Sequence, residues 1–149
     1  MTGYAVIDVR GAVIDVVCHG CFKVPASLPF PERLARIADL LAALILERHP
    51  DEAAVEDIFH AVNTRSALQL AHVRGAILVE LARRRLDPCA YAPRNIKKAL
   101  TGVGSADKVQ VRLMVERLAR VRLEGSGYDA SDALAVAICH AHSRRGIHA

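Results

Sequence analysis

Tyr4-Ala-Val-Ile-Asp-Val9, then Arg10-Gly11, then Ala12-Val-Ile-Asp-Val-Val17: this stretch decides the fold class. Both halves are rich in β-branched residues, which suit a pleated, half-buried surface. Gly11 stands where a short turn demands a left-handed backbone, so the spacing predicts a tight hairpin. The second strand, or a further one directly after it, is expected to run to about Lys23. Val-Ile-Asp-Val occurs in both halves and reads as shared strand chemistry, not as a repeat architecture.

Downstream of the hairpin the period changes. Pro25 to Pro29 is a connector, and Pro31 sits in the first turn of a helix, where its missing N–H costs nothing. Leu34, Ile37, Leu41, Leu44 and Ile45 form a stripe at helical spacing, and Pro50 closes that helix. Ala53-Ala54-Val55-Glu56 reads as a short buried strand ending in a carboxylate. A second helix is expected from about Thr64 to Arg85, a short strand over Cys89 to Ala92, and a short helix opened by Pro93. Gly102-Val-Gly104 breaks the chain before Ser105, the expected N-cap of a helix to about Arg120. After a loop over Glu124 to Gly127, a last helix starts near Ala130. Strands first, then strands alternating with helices, place the chain in the α/β class, with a mixed sheet flanked by helices.

The 149 residues suit one domain, residues 1–149, with a real hydrophobic core. At 52% hydrophobic and 24% charged residues, the composition is that of a globular chain and excludes disorder. The longest apolar run, Leu40 to Leu46, is far too short to span a bilayer. A basic stretch followed by an apolar one, as in a secretory signal, is not visible, so cytoplasm with no membrane partner is the default expectation. The net charge of +4 and pI of about 9.1 suit a polyanionic partner, and equally a solvated basic face. Arg94, Lys97, Lys98 and Lys108 fall in one segment whose single acid is Asp107. Cys18 and Cys21 form a C-x-x-C, and Cys139-His140-Ala141-His142 offers further zinc donors, but the spacing does not match a structural zinc site. Reduced, mostly buried thiols are the better reading.

Three acids stand out by their setting. Glu56 ends an apolar strand, and Asp129 and Asp132 share one face at the start of an apolar helix. Spacing alone favours a plain account: Glu56 as a surface charge, Asp129 as an N-cap, Asp132 as a first-turn acid favoured by the helix dipole. Carboxylates gathered from a strand end and a helix start are also what a Mg²⁺ site for phosphodiester cleavage requires.

Two long runs add to this. Tyr91-Ala-Pro-Arg94-Asn-Ile-Lys97-Lys98-Ala-Leu-Thr-Gly102-Val-Gly104-Ser-Ala-Asp107-Lys108-Val-Gln110-Val and Asp129-Ala-Ser-Asp132-Ala-Leu-Ala-Val-Ala-Ile-Cys139-His140-Ala-His142 closely resemble signatures of the RuvC family of Holliday-junction resolvases. Thr2-Gly3-Tyr4, Pro31-Glu32-Arg33-Leu34-Ala35, Val55-Glu56-Asp57-Ile58-Phe59, Ser66-Ala67-Leu68-Gln69-Leu70 and Arg74-Gly75-Ala76 follow in the family order, so the resemblance covers essentially the whole chain. It implies a ribonuclease H-like fold and a homodimer. Each subunit would cut one of two symmetric strands of a four-way DNA junction, in recombination and repair, beside a branch-migration motor of RuvA and RuvB. It also implies Mg²⁺, two ions per subunit, with Mn²⁺ as an alternative. Glu56, Asp129 and Asp132 match the family's second and last two catalytic, metal-binding acids. Phe59 matches an aromatic that stacks on a junction base, and Lys97 and Lys108 match phosphate-contacting lysines. Arg94, Lys98 and the Gly102–Gly104 turn would add backbone contacts to DNA. The Thr64–Arg85 helix resembles the dimer helix.

The chain departs from the pattern in three places. Val62 replaces a usual basic residue before Asn63, and Ala71 replaces a common glycine. Members of the family also begin with a strand ending in Gly-Ile-Asp-Pro-Gly, whose aspartate bridges the metals, whereas this sequence opens at the Thr-Gly-Tyr that follows it. The expectation is therefore an N-terminally truncated domain without its first, central strand and first aspartate, inactive and poorly folded as written. Asp8 and Asp15 lie on the next two strands and are not expected to substitute. The alternative function is a catalytically inactive junction-binding protein. A different ribonuclease H-like nuclease is disfavoured by Phe59 and the lysine–glycine segment.

Overall fold

The computed structural model, which describes residues 1–57, 64–123, 125 and 127–147, opens with the expected hairpin. β1 (Thr2–Arg10) pairs antiparallel with β2 (Val13–Phe22), and Arg10 faces Val13 across the loop Gly11-Ala12. Gly11 has φ 56°, the left-handed conformation a two-residue loop needs. Val6 faces Cys18 and Ile7 faces Val16, so Val17 is an extra residue that bends the ladder there. At the open end the Tyr4 ring stacks on Phe22 with centroids 4.7 Å apart.

α1 (Phe30–Arg48) carries Pro31 in its first turn and buries Ile37 and Ile45; it ends at His49, whose left-handed backbone donates its N–H to the Ile45 carbonyl. β3 (Ala53–Glu56) pairs parallel with β4 (Pro88–Tyr91), with Ala53 opposite Pro88 and Glu56 opposite Tyr91. Parallel strands need a long crossover, and α2 (Thr64–Arg83) supplies it. It packs on α1, and Ile45, Leu81 and Leu86 close a small core with Leu41, Val55 and Ile77.

α3 (Pro93–Thr101) stops at Gly102, which takes φ 78°. α4 (Lys108–Ala119) is capped by Asp107, not by the expected Ser105. The Asp107 carboxylate accepts from the Gln110 N–H at 2.8 Å, and Gln110 Oε1 accepts from the Asp107 N–H at 3.0 Å. Ser105 instead belongs to the turn in which Ala106 N–H reaches the Val103 carbonyl. α5 (Tyr128–Ile147) is the hub: Leu134 and Ile138 are wholly buried, and the main core joins them to Val115 and Leu123, to Ile96 and Leu100 of α3, and to Ile14 of β2.

The antiparallel and parallel pairing of a mixed sheet is thus present, divided between two ladders, β1–β2 and β3–β4. Among the described residues, the edges of β1 and β3 that pair with no further strand border one cavity of about 1260 Å³, walled by apolar groups such as Ile77 of α2 and Val136 and Ala137 of α5. The thiols are free, with Cys139 buried and Cys18 and Cys21 half-buried. Cys89 is exposed, contrary to the expectation for most of the cysteines, because it lies in the middle of the short strand β4, where it and Ala90 are both open to solvent.

Candidate active site

Three elements converge at one end of the molecule. β3 runs up to Glu56, and Asp57 N–H extends its pairing to the Tyr91 carbonyl at 2.8 Å. α5 starts at Tyr128, which makes Asp129 its second residue and places Asp132 one turn further along the same face. Asp129 is therefore a first-turn acid and not the N-cap. The start of β1 is pressed against this turn. A Cβ added to Gly3 would lie 1.9 Å from the Asp129 carbonyl oxygen, so only glycine permits that approach.

The acids feel one another. Surrounding protein mass pushes the Glu56 carboxyl above the ordinary carboxylate range, the negative charge of Asp132 pushes it further, and Lys108 and Lys97 pull it back. Asp132 is raised first by desolvation; Lys108 opposes this, Asp129 adds to it, and Lys97 opposes it. Lys108 is the first residue of α4, and its Nζ stands 3.8 Å from Asp132 Oδ2. Lys97, half-buried on α3, completes the pair of cations.

The structure therefore brings together Glu56, Asp129, Asp132, Lys97 and Lys108. Arg94 and Lys98 are exposed on α3, and Arg94 lies along Gly104, where a Cβ would meet its Cγ at 2.7 Å. Phe59 lies outside the described residues. Asp8 faces Asp15 in the far half of the hairpin, about 17 Å along the strand from Gly3. Among the described residues no three acids, histidines or cysteines are close enough to form a ready cage for an ion. The oxygen donors of Glu56, Asp129 and Asp132 nonetheless suit Mg²⁺, which takes one or two carboxylates and keeps much of its water.

Sequence reasoning missed two features. His140, weighed above only as a zinc donor, has Nε2 2.7 Å from Glu52 Oε2 and accepts or donates at Nδ1 with the Tyr91 hydroxyl at 2.9 Å. Arg144 Nη2 donates to Glu52 Oε1 at 2.7 Å, and this bond is the main reason the Glu52 carboxyl sits below its ordinary range. The network ties α5 to the start of β3 and the end of β4, and the i,i+4 spacing of His140 and Arg144 was its available signal. The second feature is Tyr128, whose exposed ring has the Lys108 ammonium 5.4 Å and the Arg112 guanidinium 5.9 Å from its centroid.

The family model described as "Crossover junction endodeoxyribonuclease RuvC" matches residues 1–140. The chain is similar to proteins of that name from Maricaulis maris, at 43% identity over 96% of this chain and 85% of the relative, and from Halorhodospira halophila, at 44% over 97% and 85%. Among solved structures, T. thermophilus RuvC in complex with Holliday junction substrate superposes with a TM-score of 0.86 at 27% identity, covering 97% of this chain and 88% of that one. The chain belongs to the RuvC family of crossover junction endodeoxyribonucleases.

Proposed function

We propose that the chain is a Holliday-junction resolvase, a nuclease of recombination and DNA repair that cuts four-way junction DNA in a metal-dependent hydrolysis of phosphodiester bonds. The observation that carries the site assignment is the meeting of Glu56, Asp129 and Asp132 beside Lys97 and Lys108. On this reading Glu56, Asp129 and Asp132 would be three of the acids that hold Mg²⁺, two ions per subunit with Mn²⁺ able to replace it, beside the aspartate that the family pattern places before the Thr-Gly-Tyr opening of this sequence. Bound there, the metal supplies an activated water and stabilises charge on the leaving oxygen. Lys97 and Lys108 neutralise the approaching phosphodiester, Arg94 and Lys98 extend the DNA surface outward from it, and Phe59 stacks on a junction base. The protein acts as a homodimer through α2, each subunit cutting one of two symmetric strands, in the cytoplasm and with the RuvA–RuvB motor. All 149 residues form the one resolvase domain of this reading. No helix of the described residues is long and apolar enough to cross a membrane.

The presence of Glu56, Asp129 and Asp132 favours cleavage over junction binding alone, since binding needs no carboxylates facing a polyanion. The test is cleavage of a synthetic four-way junction by Asp132→Asn and Asp129→Asn, each made in a version extended to carry the family's first aspartate. Each keeps size and removes charge, so metal-dependent cleavage is expected to fall by about two orders of magnitude or more while junction binding survives. Near-normal cleavage by both variants would refute the site.

A further inference from the structure

The side chain of Lys108 is 66% exposed and its Asp132 partner 43%, with 3.8 Å between the charged atoms. A surface pair of that kind contributes little, about 0–1 kcal/mol, and does not hold a four-carbon stem in one rotamer. A second contact selects this one. The Tyr128 ring lies 5.4 Å from the ammonium, one residue before Asp129 and at the opening of the helix that carries both acids.

Arg112 explains why the ring stands there. Lys108 and Arg112 are i and i+4 on α4 and share the side that faces the start of α5. Two like charges at that spacing repel, and a negative ring face within 6 Å of both offsets the repulsion. Arg112 is itself anchored: its Nη2 donates to the Leu123 carbonyl and its Nε lies 3.6 Å from Glu116 Oε1. The ring also lies 5.9 Å from this fixed guanidinium. The order is thus Glu116, Arg112, Tyr128, Lys108, Asp132, running from the body of α4 to the acids.

We infer that Tyr128 is a positioning residue, whose aromatic face holds Lys108 against the carboxylates so that its ammonium meets the phosphodiester at the reacting end of the site. This rests on the resolvase reading for the identity of the anion, and on the described geometry for the ring–lysine contact. Tyr128→Phe keeps the ring, whereas Tyr128→Leu keeps bulk and loses it. For binding of a four-way junction, the Phe variant is expected within about twofold of the unaltered chain. The Leu variant should be weaker by about two- to fivefold, the worth of an exposed cation–π contact, with a shallower salt dependence. Lys108→Ala added to Tyr128→Leu should then cost less than Lys108→Ala alone, because the two act through one contact. In the DNA-free protein, ring-current shifts should move the Lys108 ε-methylene resonance upfield in the unaltered chain and in Tyr128→Phe, and not in Tyr128→Leu.

A Lys108 resonance that is the same in all three would overturn the inference, whatever the protein does to DNA. Fully additive losses would also overturn it, by showing that Tyr128 touches the nucleic acid on its own account. A shifted resonance in a chain that binds no junction would leave the contact standing and refute the resolvase reading, and with it the phosphodiester role given to Lys108.

Discussion

At the scale of single residues, the site is a balance of like charges against a few cations. Glu56 and Asp132 both titrate above the ordinary carboxylate range in the metal-free fold. A carboxyl raised in this way binds its proton more tightly folded than unfolded. The stability it contributes is present at acid pH and is lost as pH rises from the ordinary range through the folded value. Glu56→Gln should therefore raise the metal-free Tm at neutral pH by about 1–3 °C, as for a partly screened surface interaction in a domain of this size. The gain should shrink toward about pH 4. Calorimetry at both pH values checks this, and a lowered Tm at neutral pH would contradict it. The lysines answer to a different measurement. Lys97→Ala or Lys108→Ala should weaken junction binding and reduce its salt slope by about one unit each. An unchanged slope would speak for a structural role.

At the scale of elements, what matters is how each helix and strand is ended, because the site is made of ends. Glu56 closes β3, Asp129 opens α5, and Lys108 opens α4. The capping box of Asp107 and Gln110 fixes where α4 begins, and so where Lys108 projects. Asp107→Ala is expected to cost about 1 kcal/mol, or roughly 3 °C in Tm, and to weaken junction binding through the displaced lysine. Ser105→Ala should stay within about 0.5 kcal/mol, because Ser105 makes no cap. Equal melting curves for the two variants would place the cap elsewhere. The sequence reading named Ser105 as the cap ahead of this helix, and the structure uses Asp107, two residues on. The Asp107-x-x-Gln110 spacing of a capping box was the local signal that could have chosen between them, and the turn in which Ala106 N–H returns to Val103 sets the start of α4 there.

At the scale of the whole molecule, α2 carries an unpaid surface: Leu68, Leu70 and Val79 are exposed, and Leu68, Ala71, Gly75 and Leu78 line one shallow apolar groove along it. Small residues beside leucines allow a second helix to come close, and a stripe of this kind on one helix face fits the proposed dimer. Analytical ultracentrifugation should show a dimer at tens of micromolar, and Leu68→Glu should shift it toward monomer while leaving the helical signal intact. A monomer in both cases would refute α2 as the dimer helix. Among the described residues the β1 and β3 edges that border the cavity pair with no further strand, and unpaired edges recruit other strands, which favours aggregation. By itself the sequence determined the hairpin, the order of helices and strands, and the pairing of Asp129 with Asp132 on one helical face. Each of these follows from turn chemistry or periodicity acting over a few residues. It also held long motifs whose family order located Glu56, Lys97 and Lys108. Only the tertiary structure decided that the strands form two ladders, that Gly3 must lack a side chain against Asp129, that Tyr128 faces Lys108, and that Glu52 meets His140 across 88 residues. Such contacts depend on how helices and strands pack once formed, and no local rule of spacing reaches across that separation.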